Sequence, residues 1–276
     1  MKTQIVGFLA VWSISLTSFA SQDPIFPGAR EGAMAQSVLS LDSPWAVYHN
    51  PAGIATATSG SFSFCHTNRY LIHELSRHAM AGVLPASGGA FGLAYTYTGT
   101  PEYNEQLIVL AYAHQLSDKL EAGIGFNAHS VWMPADYGQD FALTGSLGLL
   151  ARPVKQLSVG LHLVNLANAH YQKYNFEAPP TFFRGGLTWQ SGPLLAATSV
   201  MIQKHGNTEL SMGTEFQAIR NLAVRLGVSS SEAMSITFGL GYSDTRWSAD
   251  LAFMRHPLLG FSSMFSLDIR IGKIPQ

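Results

Sequence analysis

His129 and Ser130 stand side by side in Asn127-Ala-His-Ser-Val-Trp132. An imidazole next to a hydroxyl is the pair that nucleophilic hydrolysis uses, with the histidine as general base. The surrounding residues supply no third side chain to orient the imidazole, so enzymatic activity is not expected. His66, His73 and His78 bracket one predicted hairpin and are close enough in sequence to approach one another at its outer end. No cysteine or carboxylate spacing of a metal site accompanies them, and scattered loop histidines are the simpler reading. Cys65 is the only cysteine, so it forms no internal disulfide. It reads as a small strand residue, because neither a CxxC pair nor a positive helix terminus is near to activate it. No glycine-rich phosphate loop is present, and no metal or cofactor is expected.

What remains is a set of separated charges: Glu121, Arg184, Glu209, Glu215, Arg225, Asp250, Asp268 and Arg270. Their meaning depends on the elements that carry them. From residue 61 onward the apolar pattern repeats every second residue, which is the period of a strand. Met234, Ile236, Phe238, Leu240 and Tyr242 share one face, opposed by Ser235, Thr237, Gly239 and Gly241. Leu222, Val224, Leu226 and Val228 oppose Ala223, Arg225 and Gly227 in the same way. Fourteen candidate strands follow, over 61–70, 75–84, 88–97, 104–115, 118–130, 140–151, 155–165, 181–190, 193–203, 207–216, 219–229, 232–242, 245–254 and 260–272. Residues 104–115 and 193–203 are apolar on both faces, which leaves their register open.

Each candidate is near the ~9–11 residues that a tilted strand needs to cross a bilayer. Connections alternate between short turns, such as Ser117-Asp118 and Ser191-Gly192, and longer segments, notably 129–140 and 165–181. That asymmetry is expected of an outer-membrane barrel, with turns toward the periplasm and loops outside. Only 12% of the residues are charged, and 26 are glycine. A β-sandwich would show more lysine and glutamate on its outer faces. Here the large side chains share the apolar face, and the opposite face is mostly glycine, serine and threonine. The fold class read from this pattern is all-β, a transmembrane antiparallel β-barrel of about 14 strands whose outer face meets membrane lipid. The charges named above then fall on the lumen face, where the simplest reading pairs them with one another and with whatever fills the interior. Alternate glycines leave room for close packing there. Trp132, Trp189, Trp247, Tyr95, Tyr97, Tyr171, Tyr174 and Tyr242 suit aromatic girdles at the membrane boundaries. A net charge of −1 gives no reason to expect a nucleic-acid partner.

The N-terminus differs. Lys2, the apolar run from Ile5 to Leu16 and Ser18-Phe19-Ala20 read as a signal peptide over residues 1–20, directing the chain to export. Residues 21–60 then form a segment too polar and broken to span a membrane, and residues 61–276 form the barrel. Within that segment, Asn50-Pro51-Ala52-Gly53 is a break: the proline forces Asn50 out of the helical region and Gly53 permits a tight bend.

Gly28-Ala29-Arg30, Ala33-Met34, Asp42, Trp45-Ala46-Val47 and Asn50-Pro51-Ala52-Gly53, in that order ahead of a barrel pattern, resemble the N-terminal segment of FadL-like outer-membrane proteins, closest to PorV-like members from Bacteroidota. The resemblance implies a 14-stranded barrel plugged by an N-terminal hatch that ends in the Asn-Pro-Ala-Gly motif. It places the chain in the outer membrane of a Gram-negative bacterium. It implies passive transport of a small hydrophobic molecule, through hatch rearrangement or a lateral opening. The alternative it carries is a non-transporting barrel that docks proteins of a type IX secretion or surface-attachment system.

Overall fold

The computed structural model describes residues 26–134, 138–173, 178–231 and 233–272. The predicted signal peptide and Tyr174 lie outside them. The described chain is a single antiparallel sheet that closes on itself, each strand pairing with the next and the last with the first. Its strands are β1 (Gly60–Asn68), β2 (Ser76–Ala86), β3 (Gly89–Gly99), β4 (Asn104–Ser117), β5 (Leu120–Met133), β6 (Gly138–Val154) and β7 (Leu157–Val164). They continue as β8 (Phe182–Ser191), β9 (Leu194–Gln203), β10 (Thr208–Ile219), β11 (Leu222–Ser230), β12 (Met234–Ser243), β13 (Trp247–His256) and β14 (Gly260–Ile271). β1 runs against β14 from Gly60↔Ile271 to Asn68↔Ser263, so the closing seam is a full ladder. Closure pairs the first strand with the last, so the sheet has no edge strand, which is the condition for it to sit in lipid.

The alternation predicted from sequence sorts the side chains onto two faces. Ile236, Phe238, Leu240, Leu251 and Phe253 point outward and are exposed, while Thr237, Asp250 and Ala252 point inward and are buried. Most large apolar side chains of the strands therefore face away from the interior, the reverse of the arrangement in a soluble protein. Tyr95, Trp132, Trp189, Tyr242 and Trp247 lie on the outer face, as girdle positions require. Tyr171 does not; it lines an inner cavity.

Residues 26–59 lie inside the barrel. They form helix α1 (Ala29–Ala33), helix α2 (Ala46–His49) and a 3-10 turn over Pro51–Ile54, all largely buried. The hatch has two unlike sides. Val47, Tyr48 and Ile54 pack against Ala79, Ala81, Val83, Val109, Ala111 and Ala113 of β2 and β4. On the other side, α1 lies against β11–β14 and carries Arg30 and Glu31.

The hatch fits because the wall in front of it is small. Inward glycines on β5, β6 and β7 face the Asn-Pro-Ala-Gly turn: a Cβ built on Gly148 would lie 2.9 Å from Pro51 Cδ, and one on Gly160 2.8 Å from Leu39 Cβ. Gly213 and Gly227, on β10 and β11, face Met34 within 2.7 Å in the same sense. Any larger side chain at these places would push the hatch off the wall.

Among the described residues, the ladder falls furthest short between β6 and β7. β6 extends to Gly138, but its ladder with β7 ends at Ser146↔Val164. The segment after β7 takes over: Asn165 N–H donates to the Gly145 carbonyl at 2.8 Å, and the buried Asp140 carboxylate accepts from Gln172 N–H and Lys173 N–H at 3.0 and 2.9 Å. Asn165, at φ 56°, ties this segment down by donating to the Pro179 carbonyl and to Thr181 Oγ1.

Candidate functional site

Among the described residues, the hatch separates two main cavities in the lumen. One opens at the end where the short turns lie, and the other at the end of the longer loops.

The turn-end cavity has a volume of about 420 Å3 and is charged, lined by Arg30, Asp42, Glu215, Arg225, Asp250, Asp268 and Arg270. Most of the lumen charges singled out in the sequence meet here. Glu215 is the hub. Its carboxylate accepts from Arg30 Nε and Nη2 of the hatch at 2.7 and 2.6 Å, and from Arg225 Nε of the neighbouring strand at 2.6 Å. Arg225 Nη1 donates onward to Asp250 at 2.6 Å. Asp268 accepts from the Trp45 indole at 3.1 Å and from Ser248 Oγ at 3.3 Å. A second link joins Asp42 of the hatch to Arg152, which also pairs with Glu121. Arg270 sits at the exposed rim and donates to the Thr245 carbonyl. These charges therefore hold the plug to the wall more than they line a free path.

Glu31 joins this side of the hatch. Burial pushes its carboxyl up to about 7, and the nearby Asp268 adds to the shift.

The motif residues hold the other side. Asn50 is extended (φ −169°) and caps the 3-10 turn by accepting from Ala52 N–H at 3.2 Å. Its Nδ2 donates to the Leu149 carbonyl of β6 at 3.1 Å. Pro51 starts the turn, where a missing N–H costs nothing. Gly53 lies so close to Ala46 and the Leu41 carbonyl that a Cβ would reach 2.9 and 3.2 Å from them.

The loop-end cavity has a volume of about 270 Å3. Phe26, Val47, Leu107, Val109, Val164 and Phe182 make its apolar lining, and Arg69, Arg77, Thr96, Asn127 and His129 its polar one. Phe26 is the centre of a ring cluster: it lies edge-on to Phe182 at 5.7 Å, 5.1 Å from the His49 ring, and under the Arg184 guanidinium at 5.2 Å. Burial pushes His49 down to about 3, which keeps it neutral. Its Nε2 donates to the Pro27 carbonyl at 2.9 Å, and Nδ1 faces Arg184 Nη1 at 3.5 Å. Arg184 and Glu209, also singled out from sequence, thus lie apart from the turn-end cluster. Arg184 stands against the hatch, and Glu209 accepts from Ser211 Oγ at 2.8 Å.

His129 and Ser130 are split by the strand they share. His129 Nε2 faces Thr144 Oγ1 at 3.1 Å on the inside. Ser130 Oγ accepts from Gln139 Nε2 at 2.8 Å on the outside. A base and a nucleophile on opposite faces of a sheet make no catalytic pair. His66 and His78, read from sequence as scattered, are brought together, with Nδ1 atoms 3.3 Å apart on the outer face. The apolar lining was not singled out from sequence; its signal was the two-sided apolar run at 104–115.

No protein-family model matches the sequence, and no curated protein matches it. Solved structures do. The CymD monoaromatic hydrocarbon channel aligns at a TM-score of 0.69 and 13% identity, over 90% of this chain and 98% of that one. The fold is that of the FadL-type barrels. The toluene transporter TodX of P. putida aligns at 0.64 and 13% identity, over 89% of this chain and 99% of its own. A P. aeruginosa FadL homologue aligns at 0.61 and 11%, over 88% and 97%. At such identities the likeness is one of fold. It agrees with the FadL-like part of the sequence resemblance.

Proposed function

We propose that this protein is an outer-membrane channel for passive movement of a small hydrophobic molecule. One observation carries the reading: a lipid-compatible closed barrel holds an apolar, aromatic-lined cavity that ends on a hatch with a second cavity beneath it. The turn end faces the periplasm and the loop end faces outward, so a solute enters through the loop-end cavity. A cavity of about 150 Å3 holds benzene, and this one is about 270 Å3, so the solute class is about the size of a single substituted ring. The structural neighbours include channels named for monoaromatic hydrocarbons and toluene, which supports that class. Passage requires either movement of the hatch or exit through the wall. Among the described residues the upper part of β6 has no ladder with β7, so a lateral exit there breaks the fewest ladder bonds. The docking reading, with secretion proteins as partners, has no comparable support.

The test is uptake of toluene and of a long-chain fatty acid into liposomes with a lipopolysaccharide outer leaflet, with and without the mature barrel, because a plain bilayer passes toluene freely. A Val109→Trp variant fills the cavity from an inward, buried position. Toluene uptake should rise with protein and fall at least about 10-fold in V109W, an effect of ~1.4 kcal/mol at the barrier. Uptake equal to that of empty liposomes ends the transport reading.

A further inference from the structure

We propose that His66 and His78 form a binding site for a divalent cation, Zn2+ above others, on the outer face of the barrel. The two residues are direct cross-strand partners on β1 and β2. Their Nδ1 atoms are 3.3 Å apart, with ring centroids 4.7 Å apart and planes at 34°. Zn–N bonds of about 2.0–2.1 Å at a tetrahedral angle separate two ligating nitrogens by about 3.3–3.4 Å. A square-planar pair at similar bond lengths would stand about 2.9 Å apart. The spacing therefore fits the tetrahedral ion. Sheet pairing sets the two backbones, so little ordering is needed on binding.

The location supplies the remaining ligands. Across β1–β5 the outward register row is His66, His78, Tyr97, Gln106 and Ser130. The next row toward the turn end is Phe64, Met80, Tyr95, Ile108 and Ala128. On the β2–β5 side the row becomes mostly polar, while on the β14 side His66 pairs with the exposed Phe265, which places the histidine pair at the edge of the lipid-facing band. Water and headgroup oxygens are available at that level to fill the open positions. Among the described residues, no cluster of three or more histidine, cysteine or acidic side chains stands ready to hold a metal. His73 stands on the loop between the two strands. A bound ion would join β1 to β2 next to the seam where β1 meets β14.

The experiment uses the mature barrel in detergent, stripped with a chelator and titrated with Zn2+, with Co2+ as a spectroscopic probe. One saturable Zn2+ per barrel is expected, along with the strong visible absorption of four-coordinate Co2+. His66→Gln and His78→Gln should each weaken binding at least about 10-fold, since even outer-shell changes cost about that much. His73→Gln sorts the completing ligand: a loss assigns it to the loop imidazole, and no change assigns it to water or phosphate. No saturable binding at millimolar Zn2+, or full binding in the H66Q/H78Q double variant, overturns the proposal. Heat-modifiable gel mobility verifies that the variants are folded. Histidine NMR in the unmutated barrel gives an independent reading, in which the His66 and His78 resonances must shift together with Zn2+.

Discussion

Replacing Glu215 with glutamine should release the hatch without unfolding the barrel. The carboxylate takes three charge-assisted bonds, two from Arg30 on the hatch and one from Arg225 on the wall. The amide keeps one acceptor oxygen and loses the charge. Hydrogen bonds to charged groups contribute about 1.5–3 kcal/mol each, against about 1 for neutral ones. The Arg30 side chain is 29% exposed and Glu215 10%, so solvent screening removes part of this but not most of it. A net weakening of about 2–3 kcal/mol follows, or roughly 30- to 150-fold in the released population. Hydrogen exchange read on the peptide covering residues 29–37 reports that population. Its amides are bonded within the hatch, as in Gly32 N–H to the Gly28 carbonyl at 2.8 Å, and exchange when it leaves its seat. β5 and β6 amides should be unaffected in the same sample. Arg30→Gln should have a similar effect, and the double variant should cost less than the sum. Exchange of the hatch peptide within about threefold of wild type would refute the clasp, since the bonds would then contribute under ~0.7 kcal/mol.

Gly148→Val should destabilise the plugged barrel by about 1–3 kcal/mol, because the added atoms meet Asn50 and Pro51. Gly145→Val is its control, since a Cβ there meets only the Gly125 carbonyl at 3.9 Å. The temperature at which compact gel mobility is lost should fall in the first and hold in the second; equal temperatures would contradict the packing account. The pH dependence of hatch seating follows from Glu31, whose carboxyl moves from 4.5 to about 7 on burial. The seated hatch binds this proton more tightly than a released one, so seating is strongest below about 4.5 and weakens as pH rises through about 7. Corrected exchange of residues 29–37 should therefore speed up between pH 5 and 8 in wild type and stay flat in Glu31→Gln; a flat wild-type profile would count against it.

The strand pattern was legible wherever one face of the wall meets lipid and the other meets small or polar groups. Residues 234–242 show this plainly: phenylalanine and leucine outside, threonine and glycine inside. Registers at 104–115 and 193–203 were not legible, for one reason. Leu107, Val109, Ala111 and Ala113 face the apolar side of the hatch, and Leu195 and Ala197 face Met34 and Val38. Strands that meet lipid outside and an apolar plug inside lose their alternation. The lengths of β6 and β7 were missed too. Strands at 140–151 and 155–165 are predicted, whereas β6 covers Gly138–Val154 and β7 stops at Val164. The carboxylate that replaces the missing partner comes from Asp140, and its bonds to Gln172 and Lys173 backbone are long-range.

The sequence by itself determined that the chain is a lipid-facing barrel, because a period of two with large apolar residues on one side is a local property of each strand. It also marked the lumen charges by their phase on those strands. Only the tertiary structure decided which of them bind the hatch and which bind the wall, because salt bridges such as Arg30–Glu215 join residues 185 positions apart. The histidine pair has the same origin: a one-residue change in the β1–β2 register would part the two rings.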